Sequence, residues 1–177
     1  MSTRFPGGMA VSQGVTGLDA QIGGRLANVA PGAAVTNTTT RTASASEEIP
    51  ANALTTGRSY RVRWCGRATA TNGSDTLTFT LLVGGVVFLA TAAVDVANGD
   101  KFMGEATIAA LEAPSADSAC VAYGYYTDPA GTTLKPFQTV PTDVATDAAV
   151  VVSGSLTWSA ASASDSARLD HFSVEVI

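Results

Sequence analysis

A chain of 177 residues, 46% of them hydrophobic and only 14% charged, can bury a full core without disulfide staples. Its net charge of −5 argues against nucleic-acid binding, because phosphate contacts need clustered Lys and Arg. The longest apolar run, Leu81 to Val94, is too short and too interrupted by glycine to span a membrane, and the start MSTRFPGGMAV lacks the charged-then-apolar pattern of a signal peptide, so synthesis in the cytoplasm is expected.

Residues 1–33 stand apart. Phe5-Pro6-Gly7-Gly8, Gly14, Gly17, Gly23-Gly24 and Pro31-Gly32 break any sustained periodicity, apart from a short turn of helix near Leu18 to Leu26. Two readings fit: a tail with no role, or an extended arm that orders against a partner. Phe5, Met9, Val11, Val15, Leu18, Ile22 and Leu26 favour the arm, since a solvating tail carries fewer apolar groups.

A first strand is expected over Ala34 to Ile49, broken or bent at the threonine run 38–40 and stopped by Pro50, which has no ladder donor. After a connection over Asn52 to Gly57, Tyr60, Val62 and Trp64 alternate with Arg61, Arg63 and Cys65. Leu77, Phe79, Leu81 and Val83 then alternate with Thr76, Thr78 and Thr80. Both stretches have the period of two that marks a half-buried strand. Asn72-Gly73-Ser74-Asp75 between them is turn chemistry. The pair therefore reads as a β-hairpin with one apolar face, which needs a second sheet to cover it.

Gly84-Gly85 marks a bend before Val86 to Ala90, and Asn98-Gly99-Asp100 the next turn. From Lys101 to Leu111, Phe102, Ala106 and Ile108 share one face, and Lys101, Glu105 and Thr107 the other. Cys120 to Thr127 reads as a strand with Val121, Tyr123 and Tyr125 on one face. Asp128 to Asp147 contains Pro129, Gly131, Pro136 and Pro141, and reads as a long loop suited to partner contacts, with one short edge strand at Phe137 to Val140. In the last two strands, Val150, Val152, Leu156 and Trp158, then Phe172, Val174 and Val176, hold the apolar positions. The expected fold is all-β: an antiparallel β-sandwich, jelly-roll-like, of about eight strands over residues 34–177, behind an extended N-terminal arm over 1–33.

Several of these segments, IPANAL at 49–54 with Gly57, YRVRWCG at 60–66, TLTFTLLVGG at 76–85, WSAAS at 158–162 and FSVEV at 172–176, together resemble a family of small virion proteins of tailed bacteriophages. The start TRFPG at 3–7 is similar to that of phage capsid-associated proteins. The resemblance covers about 35–177 and, more weakly, the arm. It implies a jelly-roll domain on the exterior of the virion, often as a homotrimer, and it brings no catalytic residues. The first function it implies is a head decoration or cement protein that binds the major capsid protein and stabilises the shell by mass action. Attachment would run through the arm, at Arg4, Phe5, Met9, Val11, Leu18, Ile22 and Leu26. The alternative is a tail- or fibre-associated binding module, an adhesin or a carbohydrate-binding jelly roll. Trp64 and Cys65 depart from the family pattern, which has smaller residues there.

No enzyme, metal or cofactor is expected. His171, the single histidine, has Asp170 as its chain neighbour, but adjacent strand residues point to opposite faces, so the two form no acid–base pair. No G-x-S-x-G elbow is present, and His171 reads as an outer-face group paired with Glu175. The carboxylate pairs Glu47/Glu48, Asp95/Asp100, Asp143/Asp147 and Asp165/Asp170 come without an aromatic-rich cleft for glycoside hydrolysis, and there is no D-x-D-x-D-G calcium loop. Cys65 and Cys120 read as small buried thiols, with an inter-strand disulfide as the alternative. Arg61, Arg63 and Arg67 project from one side of a strand. They form either a solvated face paired with carboxylates on the next strand, or, with Phe137, inter-subunit or outer contacts. Tyr123, Tyr125, Tyr126 and Phe137 are divided between core and partner patch, because Tyr125 and Tyr126 must face opposite ways.

Overall fold

The computed structural model describes residues 2–4, 10–12, 25–29, 31–71 and 74–177. All regular elements among the described residues are strands. Two short ones, β1 (Ser2–Arg4) and β2 (Ala10–Ser12), pair with each other. The remaining strands are β3 (Arg25–Val29), β4 (Val35–Thr36), β5 (Thr42–Ile49), β6 (Ser59–Thr69), β7 (Thr76–Val83), β8 (Val86–Ala90) and β9 (Val94–Asp95), followed by β10 (Asp100–Ala110), β11 (Ser118–Tyr126), β12 (Lys135–Gln138), β13 (Thr142–Val144), β14 (Val150–Trp158) and β15 (Ser166–Val176). The larger sheet runs β12-β11-β10-β6-β15-β3, with β13 also on β11 and β4 on β15. The smaller runs β5-β14-β7-β8, with β9 on β7. Every pairing is antiparallel, and the two sheets form the expected jelly-roll-like sandwich. The strands beyond the expected eight include the very short β4, β9 and β13.

The main correction concerns the expected hairpin. β6 and β7 are not partners: β6 lies between β10 and β15 in the larger sheet, and β7 between β14 and β8 in the smaller. Their apolar faces meet across the interior instead, where Trp64 stacks on Phe79 with ring centroids 4.9 Å apart. Period-two patterning fixes which side of a strand is buried and leaves open whether the next strand pairs with it or packs over it. The true hairpin is β7–β8. Gly84 and Gly85, at φ 59° and 83°, make a two-residue turn between the paired Val83 and Val86.

The expected first strand breaks beside the threonine run, as its sequence implies. β4 joins the larger sheet and β5 the smaller, and β5 ends at Ile49 before Pro50. β3, inside the expected arm, is the edge strand beside β15. The loop over 128–147 is more ordered than expected. β12 and β13 both pair with β11, and the short strand falls at Lys135–Gln138 rather than at 137–140. Beyond them the buried Thr146 bonds Ser118, Oγ1 to Oγ at 2.7 Å, and closes the loop.

The core fits large side chains over small ones. On the inner faces of β6 and β10, Trp64 lies opposite Gly104, and Phe102 opposite Gly66. A Cβ on Gly104 would stand 2.2 Å from the Trp64 ring, and one on Gly66 2.4 Å from the Phe102 ring. Each aromatic thus covers the backbone of the glycine facing it, in the manner of cross-strand aromatic–glycine rescue. Gly154 on β14 does the same for the facing sheet, where Leu169 would be 2.5 Å from a Cβ. Trp158 donates its indole N–H to the Val35 carbonyl at 3.1 Å, tying β14 to β4.

Candidate functional site

The outer face of the larger sheet concentrates the polar and exposed side chains. Because Tyr60, Val62 and Trp64 point inward, Arg61, Arg63, Cys65 and Arg67 point outward from β6. Register places Glu105 of β10 opposite Arg63, with Tyr125 of β11 on its other side. One row along, Thr107 lies opposite Arg61, and Tyr123 beside Thr107. Glu175 of β15 lies opposite Arg61 from the other direction.

These groups form a charge ladder. The Arg63 Nε donates to the Glu105 carboxylate at 2.6 Å, and its Nη1 lies 3.7 Å from Glu175. Arg61 Nε is 3.7 Å from the same Glu105. The hydrogen bond that Arg63 donates to the Glu105 carboxylate holds the guanidinium above even its usual high pKa. The expectation of arginines paired with carboxylates on neighbouring strands is met. Exposed pairs of this kind add little to stability, so their main effect is to fix the side chains in place.

A bulge between Leu169 and His171 gives β15 one extra residue, Asp170. It re-aims that carboxylate toward Arg67, at 3.3 Å, and Arg168, at 3.0 Å. Next to this cluster a hollow of about 810 Å³ opens, lined by Cys65, Arg67, Lys101, Met103, Thr127 and Asp170. Its rim is the turn at 130–132, held by the Gly131 N–H to Asp128 carbonyl bond of 2.8 Å. Asp128 is buried, accepts from the Ala92 N–H at 3.3 Å and pairs with Lys135. The volume is within the range of small-molecule sites.

Large apolar groups are exposed on this same face: Met103 at 53%, Tyr123 at 48% and Tyr125 at 43%. Tyr126 turns inward and meets Phe137 edge-on, centroids 5.9 Å apart. The tyrosines therefore divide as their alternation requires. Phe137 packs against the core, which makes it a half-buried support of this face.

Other expected residues fall elsewhere. The His171 Nε2 lies 3.2 Å from the Ser173 hydroxyl. Ser173 is fully buried, so the contact presents no nucleophile to a substrate. Cys65 is exposed, contrary to expectation, while Cys120 is buried, and both are free. They lie opposite Met103 and Ala110, seven positions apart along β10, or roughly 23 Å, which no disulfide spans. Burial holds the Cys120 thiol up at about 11; partial desolvation and the charge of Asp170 raise that of Cys65. Of the arm residues, Arg4, Val11 and Leu26 lie in β1, β2 and β3. Phe5, Met9, Leu18 and Ile22 lie outside the described residues, as does the Asn72-Gly73 turn. The carboxylate pairs drawn from chain proximity did not single out Asp165 with Asp75, yet burial and then the charge of Asp75 push the Asp165 carboxyl up.

No protein-family model and no curated protein matches the chain. Among solved structures it is similar to a lectin described as UEA-II complexed with galactose, at 12% identity over 82% of this chain and 86% of that one, with a TM-score of 0.45. It is similar also to lectin II from Ulex europaeus, at 11% identity over 84% of this chain and 92% of that one, with a TM-score of 0.43. Both scores are below 0.5.

Proposed function

We propose that this chain is a non-enzymatic binding module that takes a carbohydrate on the outer face of its larger sheet. The observation that carries this reading is the exposed pair Tyr123 and Tyr125, set directly beside Thr107 and Glu105 in the fixed charge ladder. A sugar ring lays its C–H face on an aromatic ring, while its hydroxyls bond carboxylate and guanidinium groups. The ladder holds Arg61, Arg63 and Glu105 in place before any ligand arrives, which lowers the ordering cost of binding. The adjoining hollow gives a longer saccharide a second point of contact. A glycan array tests this. Binding of at least one glycan class is expected, with loss of that signal in Tyr125→Ala. A blank array with folded protein would overturn the reading.

The resemblance of IPANAL, YRVRWCG, TLTFTLLVGG and WSAAS to phage virion segments favours a second reading, a decoration protein on the capsid exterior. In that reading the chain binds the major capsid protein as a homotrimer, with residues 3–26 as the attachment arm and Arg61, Arg63, Arg67 and Phe137 at contacts between subunits. Truncation of residues 1–24 should then abolish binding to empty phage shells. Undiminished shell binding would refute the arm's role.

A further inference from the structure

Three cations stand in one row across the outer face of the larger sheet. Lys101 of β10 lies opposite Arg67 of β6, and Arg67 lies opposite Arg168 of β15. Their chain neighbours Phe102, Gly66 and Leu169 are buried, so all three point outward. Like charges directly opposite one another on adjacent strands repel. The ladder of Arg61, Arg63, Glu105 and Glu175 avoids this by pairing each arginine with a carboxylate. In the row of Lys101 a single carboxylate, Asp170, serves both Arg67, at 3.3 Å, and Arg168, at 3.0 Å. The Lys101 ammonium has no ion pair or hydrogen bond with any described residue. The other carboxylate nearby, that of Asp100, accepts the Ala97 N–H at 2.6 Å. Three cations against two carboxylates leave positive charge in excess.

Arg67 and Lys101 both line the hollow of about 810 Å³. Its rim at 127–132 is held in place. The Thr127 N–H donates to the Met103 carbonyl at 2.8 Å, and the Met103 N–H donates to the Thr127 hydroxyl at 3.0 Å. The buried Asp128 anchors the turn that follows through Ala92 and Lys135. Within that turn Ala130 takes a φ of 63°, a left-handed conformation that asparagine tolerates and alanine disfavours. Strain of this kind collects at ligand sites, and Ala130 lines the hollow with the two cations. One edge of the Arg67 guanidinium faces Asp170, while its remaining N–H donors are unused among the described residues.

We propose that this hollow takes an anionic group of the ligand, a carboxylate or sulfate on an acidic sugar, between Arg67 and Lys101. The proposal rests on the reading of this face as a saccharide site and narrows the ligand to acidic oligosaccharides. The anion would occupy the point in the row where a partner carboxylate is missing, accepting from the guanidinium fork and the ammonium. Glu105, beside Tyr125, is four positions from Lys101 along β10, or roughly 13 Å. The acidic sugar and the sugar stacked on Tyr125 are therefore different residues of one chain. With a net charge of −5, the protein as a whole repels anions, so any preference for them has a local source.

The test is a glycan array read in pairs that differ only in the acidic group: uronate against hexose, sialylated against desialylated, sulfated against unsulfated. The acidic member of a bound pair should bind about tenfold more tightly, as charge-assisted hydrogen bonds require. Calorimetric titration of that pair should show the preference falling to about twofold or less in Lys101→Gln and in Arg67→Gln, both exposed positions whose melting midpoints confirm the fold. A preference confined to carboxylated or to sulfated pairs supports the proposal and identifies the group. Equal binding of neutral and acidic members, still lost in Tyr125→Ala, would overturn the anion site and leave the saccharide reading standing. A blank array would overturn both. An acidic preference that survives in Lys101→Gln and Arg67→Gln would put the anion elsewhere and overturn the assignment to this hollow.

Discussion

Replacing Gly104 by alanine probes the packing beneath the outer face of the larger sheet. The new Cβ would lie 2.2, 2.6 and 2.8 Å from three atoms of the Trp64 ring, against about 3.5–4.0 Å for ordinary carbon contact. The ring cannot simply retreat, because its far side is stacked on Phe79 at 4.9 Å and Phe79 is in turn 5.9 Å from Phe102. Overpacking of this kind costs about 1–3 kcal/mol, and contact with rigid ring atoms places this case at the upper end. Alanine recovers about 0.5–1 kcal/mol through the lower backbone entropy of the unfolded chain. The net expectation is a loss of about 2 kcal/mol, or about 4–8 °C in melting midpoint. Urea unfolding measures it as a lower midpoint concentration at unchanged slope. Trp64→Leu in the Gly104→Ala background should be less destabilised than the sum of the two single changes, since it removes the clash. A Gly104→Ala protein within about 0.5 kcal/mol of wild type, or strictly additive variants, would refute the interlocked packing.

Three further outcomes follow from the same structure. Asp165 contributes stability that is complete below its unfolded carboxyl value near 3.8 and is lost as pH rises through its raised folded value, so stability should fall across that window and Asp165→Asn should flatten the profile. A thiol reagent should label one cysteine of the native chain, Cys65, and the second, Cys120, only after denaturation; labelling of both at equal rates would contradict their assignment to opposite faces. Arg63→Ala should leave the melting midpoint nearly unchanged yet weaken glycan binding about tenfold, because exposed ion pairs hold geometry more than they hold the fold, and calorimetric titration measures that split.

The alternation along β6, β10 and β15 makes the inner and outer faces legible in the sequence, and Pro50 and Gly84-Gly85 mark where chain direction changes. Pairing is not legible in the same way. Tyr60 to Trp64 and Leu77 to Val83 each show a buried face, but nothing in either stretch says that they belong to opposite sheets. Cys65 sits on the outward side of an alternation that already buries Trp64, so the pattern itself implies its exposure, against the general tendency of thiols to be buried. Gly66 and Gly104 inside strands signal a close approach, and that signal carries no name for the aromatic that approaches. The bulge that turns Asp170 toward Arg67 has no sequence signature here, and neither has the full burial of Asp165. Those two features depend on how the sheets close, which local pattern does not encode.

Saccharide binding on the outer face of the larger sheet is best tested by backbone amide mapping by heteronuclear NMR, during titration with the best glycan from the array. Shifts are expected to be confined to outward positions of β6, β10 and β11 around Arg63, Glu105 and Tyr125, reaching Met103 and Thr127 at the hollow for longer chains. Shifts centred on β5, β14 or β7 of the smaller sheet, or saturable binding with no change on β11, would contradict it.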